Sequence, residues 1–149
     1  MKVRIGLHET KDTRANLERM PFVLRGKLLQ KALRKGGNVV AREARRLCPK
    51  PGYPGDDPTK KPLNKTITTV WRQYGSTVMT VTGPRYAKKD GGNHGHLVEF
   101  GHSKVLWGTE TGGRVQGKPF MRPAADTTKA KQESEIINHL RSSLADLVK

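Results

Sequence analysis

One long amphipathic segment constrains the fold of this chain more than any other feature. Pro21 suits the first turn of a helix, and helical periodicity continues from there to about residue 47. The periodic positions on one face are apolar or small: Leu29, Leu33, Gly36, Val40, Ala44 and Leu47. The same spacing on the opposite face places the cations Lys27, Lys31, Arg34, Arg42 and Arg45. The pattern predicts a helix over residues 21–47 with one buried face and one basic face.

Two adjacent glycines interrupt this helix near its middle. Gly36 and Gly37 each weaken a helix by about 1 kcal/mol relative to alanine. A glycine on the apolar face would allow a neighbouring element to approach closely, and a kink is the alternative interpretation.

The rest of the chain combines short β-forming stretches with a second helix. The expected strands are residues 2–7, 63–71 and 76–83, and the last two form an antiparallel hairpin joined by "RQYG". A short helix is expected near residues 14–19. The final helix is expected over about 123–148, with an apolar stripe at Ile137, Leu140, Leu144 and Val148. The predicted fold class is α+β, with a small antiparallel sheet packed against a long N-terminal amphipathic helix and a C-terminal helix.

Two long segments lack a regular pattern and are expected to be loops. Residues 48–62 are rich in proline and glycine, and residues 84–118 contain two glycine-rich stretches. Within the second segment, "HLVEFG" fits a short helix or a strand, and a few residues near 104–107 are expected to be extended. The length of 149 residues predicts a single domain, residues 1–149.

Positive charge dominates the composition and is unevenly distributed. The chain has 29 Lys and Arg against 13 Asp and Glu, for a net charge of +16. Residues 1–65 alone hold 17 of these cations and 6 of the acids. Such a chain attracts polyanions, and nucleic acid is the first to consider. Aromatic residues make up only 5%, which favours contact with backbone phosphates over base stacking.

The basic helix face has two interpretations. Most charge runs are simply solvated surfaces. If the face instead contacts nucleic acid, the candidate residues are Lys27, Lys31, Arg34, Arg42, Arg45, Lys60 and Lys61. A sequence-independent nucleic-acid-binding protein that uses helix 21–47 is therefore one function that the sequence predicts.

The histidines near Glu99 are the first candidates for a metal site. His94, His96 and His102 lie close together in the sequence, and H-x-H can begin a zinc site. No cysteine pair supports such a site, and polar loop histidines are the simpler interpretation. We expect neither a metal nor any other cofactor.

No other residue pattern indicates catalysis. Cys48 fits a small buried residue at a helix end better than a nucleophile, which would need a positioned base. Asp56 and Asp57 fit a turn, the acids show no paired pattern that would hold a nuclease metal, and "GGRVQGK" lacks the spacing of a P-loop. We expect no enzyme activity, and a metal-dependent nuclease is the least favoured alternative.

The sequence also bears on compartment. No apolar run is long enough to span a bilayer, and "MKVRIGLHET" lacks the apolar core of a secretion signal. A single cysteine allows no internal disulfide, which suits a reducing cytosol. We expect a protein made in a cytoplasm, without membrane contact.

A series of motifs resembles a known family nearly from end to end. The motifs are "KVRIGL", "ALRKGGNVVAREARRLCP", "LNKTITTV", "VTGPRYA", "LVEFGH" and "KPFMRPAAD". In this order they resemble the small tail-completion, or head–tail connector, proteins of long-tailed double-stranded DNA bacteriophages. The segments "VEFG" and "PFMRPA" are together the more specific part. The chain departs from the family pattern at His102, where Thr is frequent, and at "PTKKP", which replaces a usual Thr-Gly.

The resemblance implies a structural protein of the phage neck, which completes the tail and joins it to the head as part of a ring around the DNA channel. The implied partners are further copies of the chain, with a hexamer favoured, neighbouring neck and tail proteins (adaptor or head-closure, tail terminator and tail tube), and the double-stranded DNA in the channel. It also implies assembly in the host cytoplasm, a location in the virion, and no catalysis. Residues 48–62 and 103–118 are expected to contact neighbouring ring proteins.

The motif residues expected to have structural or interface roles are Glu99, Phe100, Gly101, Pro119, Phe120, Arg122 and Pro123. Glu99 either pairs within the fold, for instance with Arg122, or pairs with a basic residue of the next subunit. The internal role is favoured, because the motif would brace the loop before "PFMRPA". Phe120 is expected to be a core anchor, with the two prolines setting the entry into the last helix.

Overall fold

The computed structural model describes residues 22–50, 61–75, 77–86 and 92–147, together with residues 15 and 18. Its elements in chain order are α1 (Phe22–Leu47), the helical turn α2 (Leu63–Thr66), β1 (Ile67–Tyr74), β2 (Thr77–Pro84), α3 (Gly95–Phe100), β3 (His102–Leu106), β4 (Thr109–Val115) and α4 (Met121–Leu147). The two long helices and two small antiparallel sheets confirm the α+β class. The strand expected at 2–7, most of the helix near 14–19 and most of the loop 48–62, including Lys60, lie outside the described residues.

The two long helices pack against each other through one apolar cluster. Its buried members are Leu28, Ala32, Ile136, Leu140 and Leu144. The predicted Leu29 and Leu33 are only partly buried beside this cluster. Of the stripe predicted for the last helix, Ile137 is partly buried and Val148 lies outside the described residues. The buried face of α1 therefore runs through Leu28, Ala32 and Gly36 and not through Leu29 and Leu33. Ala32 and Gly36 have almost no side chain, which lets α4 approach α1 closely.

β1 and β2 form the first hairpin, in which Val70 is paired with Val81. The strand type was predicted correctly, but the bounds were not. Residues 63–66, expected to open the strand, form the helical turn α2, where Thr66 Oγ1 donates to the Leu63 carbonyl at 2.7 Å. "RQY", expected to lie in the connection, continues β1 as far as Tyr74, and the chain turns at Gly75, whose φ is +57°.

A second hairpin, β3–β4, lies where a mostly irregular loop was expected. Trp107 and Gly108 connect its strands with φ values of 52° and 86°. Two consecutive positive φ angles are characteristic of a type I′ turn, which matches the twist of a hairpin. The extended residues expected near 104–107 are confirmed for the most part, since β3 ends at Leu106. The adjacent glycines Gly112 and Gly113 weaken the strand pattern in the sequence, which explains why β4 was not predicted. We call residues 102–115 the arm.

The glycine pair in α1 lets two different elements approach. A Cβ on Gly36 would lie 2.5 Å from Cγ1 of Ile136 on α4, and a Cβ on Gly37 would overlap Cγ2 of Thr69 on β1. The segment stays helical through both positions. Close packing on two sides therefore accounts for the pair, and α1 is the central element between α4 and the first hairpin.

We expect Gly37→Ala to destabilise the protein by about 1–2 kcal/mol, because Thr69 is branched at Cβ and must move. This is the net change: the steric cost is partly offset by the higher helix propensity of alanine, which contributes about 1 kcal/mol. Gly26→Ala is the matched control in the same helix. A Cβ there meets nothing within 4 Å, so we expect it to stabilise the protein by about 0.5–1 kcal/mol. Urea denaturation checks both, and a stabilised Gly37→Ala protein would contradict the packing role.

Candidate functional site

Glu99 belongs to α3, and its carboxylate caps the N-terminus of α4. Its Oε2 accepts hydrogen bonds from the backbone N–H groups of Phe120 (2.8 Å) and Met121 (2.9 Å). Its Oε1 accepts a third from the N–H of Arg122 (3.1 Å). The first N–H groups of a helix have no partner inside the helix and form the positive end of its dipole. The carboxylate therefore satisfies three of these donors and places a negative charge where the helix favours one.

The capping explains why a carboxylate stands in an apolar run. Glu99 is only 7% exposed, and no acid lies in the first turn of α4. The residue before the helix, Phe120, has no oxygen that could act as an N-cap. Glu99 uses its carboxylate within the fold, on backbone donors and not on the side chain of Arg122, which is exposed. Pairing with a basic residue of the next subunit does not fit this burial.

Two glycines bring Glu99 to the helix start. Gly101 has φ +74°, and a Cβ there would overlap the Val115 carbonyl oxygen. A Cβ on Gly117 would lie 2.7 Å from the carbonyl carbon of Phe100. The backbones before and after the arm therefore cross in direct contact, and the N–H of Lys118 donates to the Val98 carbonyl at 2.7 Å.

Phe120 anchors this site in the core. It is fully buried and lies in a cluster with Val40, Ala41, Ala44, Cys48, Leu63, Ile67, Val98 and Ala124. The cluster joins α1, α2, α3 and α4 and also contains the one cysteine as a small packed residue, in line with its expected role. Pro123 lies in the first turn of α4, where a helix needs no N–H, and Pro119 is exposed just before it.

The predicted basic face of α1 is exposed at Lys27, Lys31, Arg34 and Arg42. Arg45 differs from these, because its Nε and Nη2 both donate to the Ile67 carbonyl, at 3.0 and 2.7 Å. It connects α1 to the start of β1. Lys61 is exposed after the undescribed part of the loop.

Two further cations of this region were missed in the sequence, Lys35 and Arg72. Lys35 is exposed on α1 next to Arg34. Arg72, on β1, lines the same open hollow of about 580 Å³ as Arg34 of α1 and Trp71. Sequence periodicity could not find it, since its proximity to α1 depends on how the hairpin packs. The one described acid of α1, Glu43, is paired with Arg46 at 2.6 Å. The hydrogen bond from Arg46 lowers the pKa of Glu43.

The histidines do not converge. His94 lies in the turn before α3, His96 is exposed on α3, and His102 begins β3. Among the described residues, no three His, Cys, Asp or Glu side chains come together as a metal site would require. No helix in the described ranges is long and apolar enough to cross a membrane.

Large apolar side chains are exposed at three places. Trp107, at the tip of the arm, is 100% exposed. Val70, Tyr74, Met79 and Val81 are exposed on the first hairpin. Tyr86 and Phe100, also exposed, line an open groove of about 880 Å³ between β2, α3 and α4. Val70 and Val81 are paired across the hairpin, and Tyr86 and Phe100 line the same groove. Exposed apolar groups of this kind are typical of surfaces that contact other proteins.

The fold and the site define a small α+β protein with exposed apolar and basic surfaces. In the described part of the chain, the one buried carboxylate, Glu99, caps a helix. The chain matches a family model described as "Bacteriophage HK97-gp10, putative tail-component" over residues 11–101. The chain belongs to this HK97-gp10-like family, which confirms the resemblance to phage tail-completion proteins. Membership indicates a bacteriophage tail component, located in the virion. The matched range includes α1, the first hairpin and Glu99, and it ends before the arm. No curated protein and no solved structure matches the chain.

Proposed function

We propose that this protein is a non-enzymatic component of the phage neck, which completes the tail and joins it to the head as part of a ring around the DNA channel. The observation that carries the proposal is membership in a phage tail-component family over residues 11–101. The proposed partners are other copies of the chain, in a hexamer, the neighbouring neck and tail proteins, and the DNA in the channel.

The exposed apolar residues support an assembly role. The arm presents Trp107 and Val105 to solvent, and a hairpin of two strands is marginally stable by itself. Aromatic residues such as tryptophan often contribute most of the binding energy of protein interfaces. The groove beside α3 offers a second apolar surface on the same chain. A ring of identical subunits needs two different surfaces that fit each other, and the arm and the groove supply two.

The first test is the mass of the purified protein in solution, by light scattering on a sizing column after nuclease treatment and in high salt. High salt removes oligomers held together by residual nucleic acid. We expect one closed oligomer, because homo-oligomers are usually closed, and a mass of about six or twelve subunits would support the ring. A protein that stays monomeric both alone and with the other neck proteins of its phage would contradict the proposal.

We expect Trp107→Ala to lower the affinity between subunits, or for a neck partner, by about thirtyfold or more, as interface tryptophans do. Folding stability should change by less than about 0.5 kcal/mol, since the side chain is fully exposed. Thr109→Ala, also exposed on the arm, is the control and should leave assembly unchanged. Sedimentation across a concentration series measures the difference. Equal assembly of the two variants would exclude Trp107 as an interface residue.

A further inference from the structure

We infer that one defined surface, formed jointly by α1 and β1, contacts the phosphate backbone of double-stranded DNA. We call it the basic ridge; its residues are Lys27, Lys31, Arg34, Lys35 and Arg42 of α1 and Arg72 of β1. The choice of DNA as the polyanion rests on the proposed function, in which DNA passes through the ring.

The length of the ridge suits contact with several phosphates of one duplex. Lys27 and Arg42 are fifteen residues apart on one helix face, and therefore about 22 Å apart along the axis. One turn of duplex DNA is about 34 Å long and carries a phosphate charge for every ~1.7 Å of its axis. A row of cations of this length spans roughly two thirds of one turn along the duplex axis, so several of them can lie near phosphates at the same time.

The charges of the ridge are available to a partner. Within the described residues, none of its six side chains forms an ion pair. Glu43, the described acid on α1, has both carboxylate oxygens bonded to Arg46 at 3.0 and 2.6 Å, so it does not neutralise the ridge. Arg45 is excluded from the ridge because its guanidinium is bonded to the Ile67 carbonyl.

The composition of the ridge favours duplex backbone over a single strand. Proteins that track single strands stack successive bases on several aromatic side chains. The hollow between Arg34 and Arg72 contains one aromatic residue, Trp71, and the cations of α1 extend away from it. Two exposed amide side chains, Asn38 of α1 and Gln73 of β1, lie among six cations, so the ridge is built mainly of groups that bind phosphate. Phosphate contact without base reading is the mode that fits this composition.

The test is fluorescence anisotropy of the full chain with a labelled random-sequence duplex of about 20 base pairs, between 50 and 300 mM NaCl. A triple variant removes three ridge charges: Lys31→Gln, Arg34→Gln and Arg72→Gln. A control of equal net charge removes three exposed cations elsewhere: Lys104→Gln, Lys129→Gln and Arg141→Gln. The control is needed because a chain of charge +16 binds DNA to some extent through any surface.

We expect the ridge variant to bind at least tenfold more weakly than the control at 100 mM salt. The slope of log affinity against log salt should fall by about 3, since each lost phosphate contact contributes roughly 0.9. Equal losses in the two variants, or no loss in either, would overturn the inference. A ridge variant that binds DNA normally but no longer binds a neck protein would also overturn it, by assigning the surface to a protein partner.

The same variants separate this inference from the proposed function. Light scattering of the ridge variant reports ring assembly independently of DNA. If the ring forms and the ridge variant binds DNA as well as the control does, only the DNA surface is wrong. If DNA binding depends on the ridge while the wild-type chain never assembles with itself or with a partner, the neck function is wrong and the DNA surface remains.

Discussion

Glu99→Ala should destabilise the protein by about 3–5 kcal/mol. The substitution leaves the N–H groups of Phe120, Met121 and Arg122 without their acceptor; the first of these bonds is buried and the other two are partly buried. An unsatisfied buried donor costs about 1–3 kcal/mol, and the lost charge at the positive end of α4 adds up to ~2 kcal/mol. Urea denaturation measures the loss, and hydrogen exchange should show that the amides of residues 120–122 lose protection first.

Two further variants make this result specific to capping. Glu99→Gln keeps the size of the side chain but turns an amide N–H₂ group toward backbone donors, so we expect an intermediate loss. Glu43→Ala removes a carboxylate that is bonded to Arg46 at the surface, and it should change the unfolding midpoint little. If Glu99→Ala unfolded at the urea concentration of the wild type, the three hydrogen bonds would not contribute to stability.

Phe120→Ala should cost about 3–5 kcal/mol, the range observed when a buried aromatic side chain is removed from a core. Phe120 is 0% exposed and contacts the cluster that joins α1, α2, α3 and α4. Because it also directly precedes α4, the cavity would lie beside the capped helix start. Thermal and urea unfolding measure the change, and the variant should remain helical by circular dichroism.

Phe100→Ala is the matched control for Phe120→Ala. It removes the same side chain, from "VEFG" instead of "PFMRPA". Phe100 is 74% exposed, so its removal should change stability by less than about 0.5 kcal/mol. It lines the groove proposed to bind a neighbour, so any effect should appear in assembly. Similar destabilisation by the two substitutions would show that the division into a core phenylalanine and a surface phenylalanine is wrong.

The helices could be predicted from the sequence because their periodicity is local. The helix predicted at 21–47 is found at Phe22–Leu47, and the one predicted at 123–148 is found at Met121–Leu147. The hairpin expected at 63–83 was correct in type. Its exact bounds were not predictable, because the Thr66 hydroxyl bonds back to Leu63 and stabilises a helical turn in a β-forming sequence. Of the arm, only a few residues of β3 were predicted, because the glycines of β4 hide its strand pattern.

The site was only half predictable. An acid in an apolar run indicated an internal partner for Glu99, and "PFMRPA" indicated a helix start with a buried phenylalanine. The sequence does not show that the two meet, since this depends on the backbone crossing at Gly101 and Gly117. A helix start without its own capping residue was the available signal: α4 needs an acceptor from elsewhere in the chain.

The backbone crossing at Gly101 and Gly117 affects which parts of this protein can vary in sequence and length. Contacts at the crossing hold the two ends of the arm together. The chain leaves the core at Gly101 and re-enters it at Gly117, and these two positions are in contact. Doubling the length of a closed loop costs only about 0.6 kcal/mol in chain entropy. The arm can therefore be lengthened, shortened or exchanged while the capped helix and the core keep their geometry. Related phages could vary their fit to different partners by exchanging this one segment, and the rest of the domain would not have to adapt.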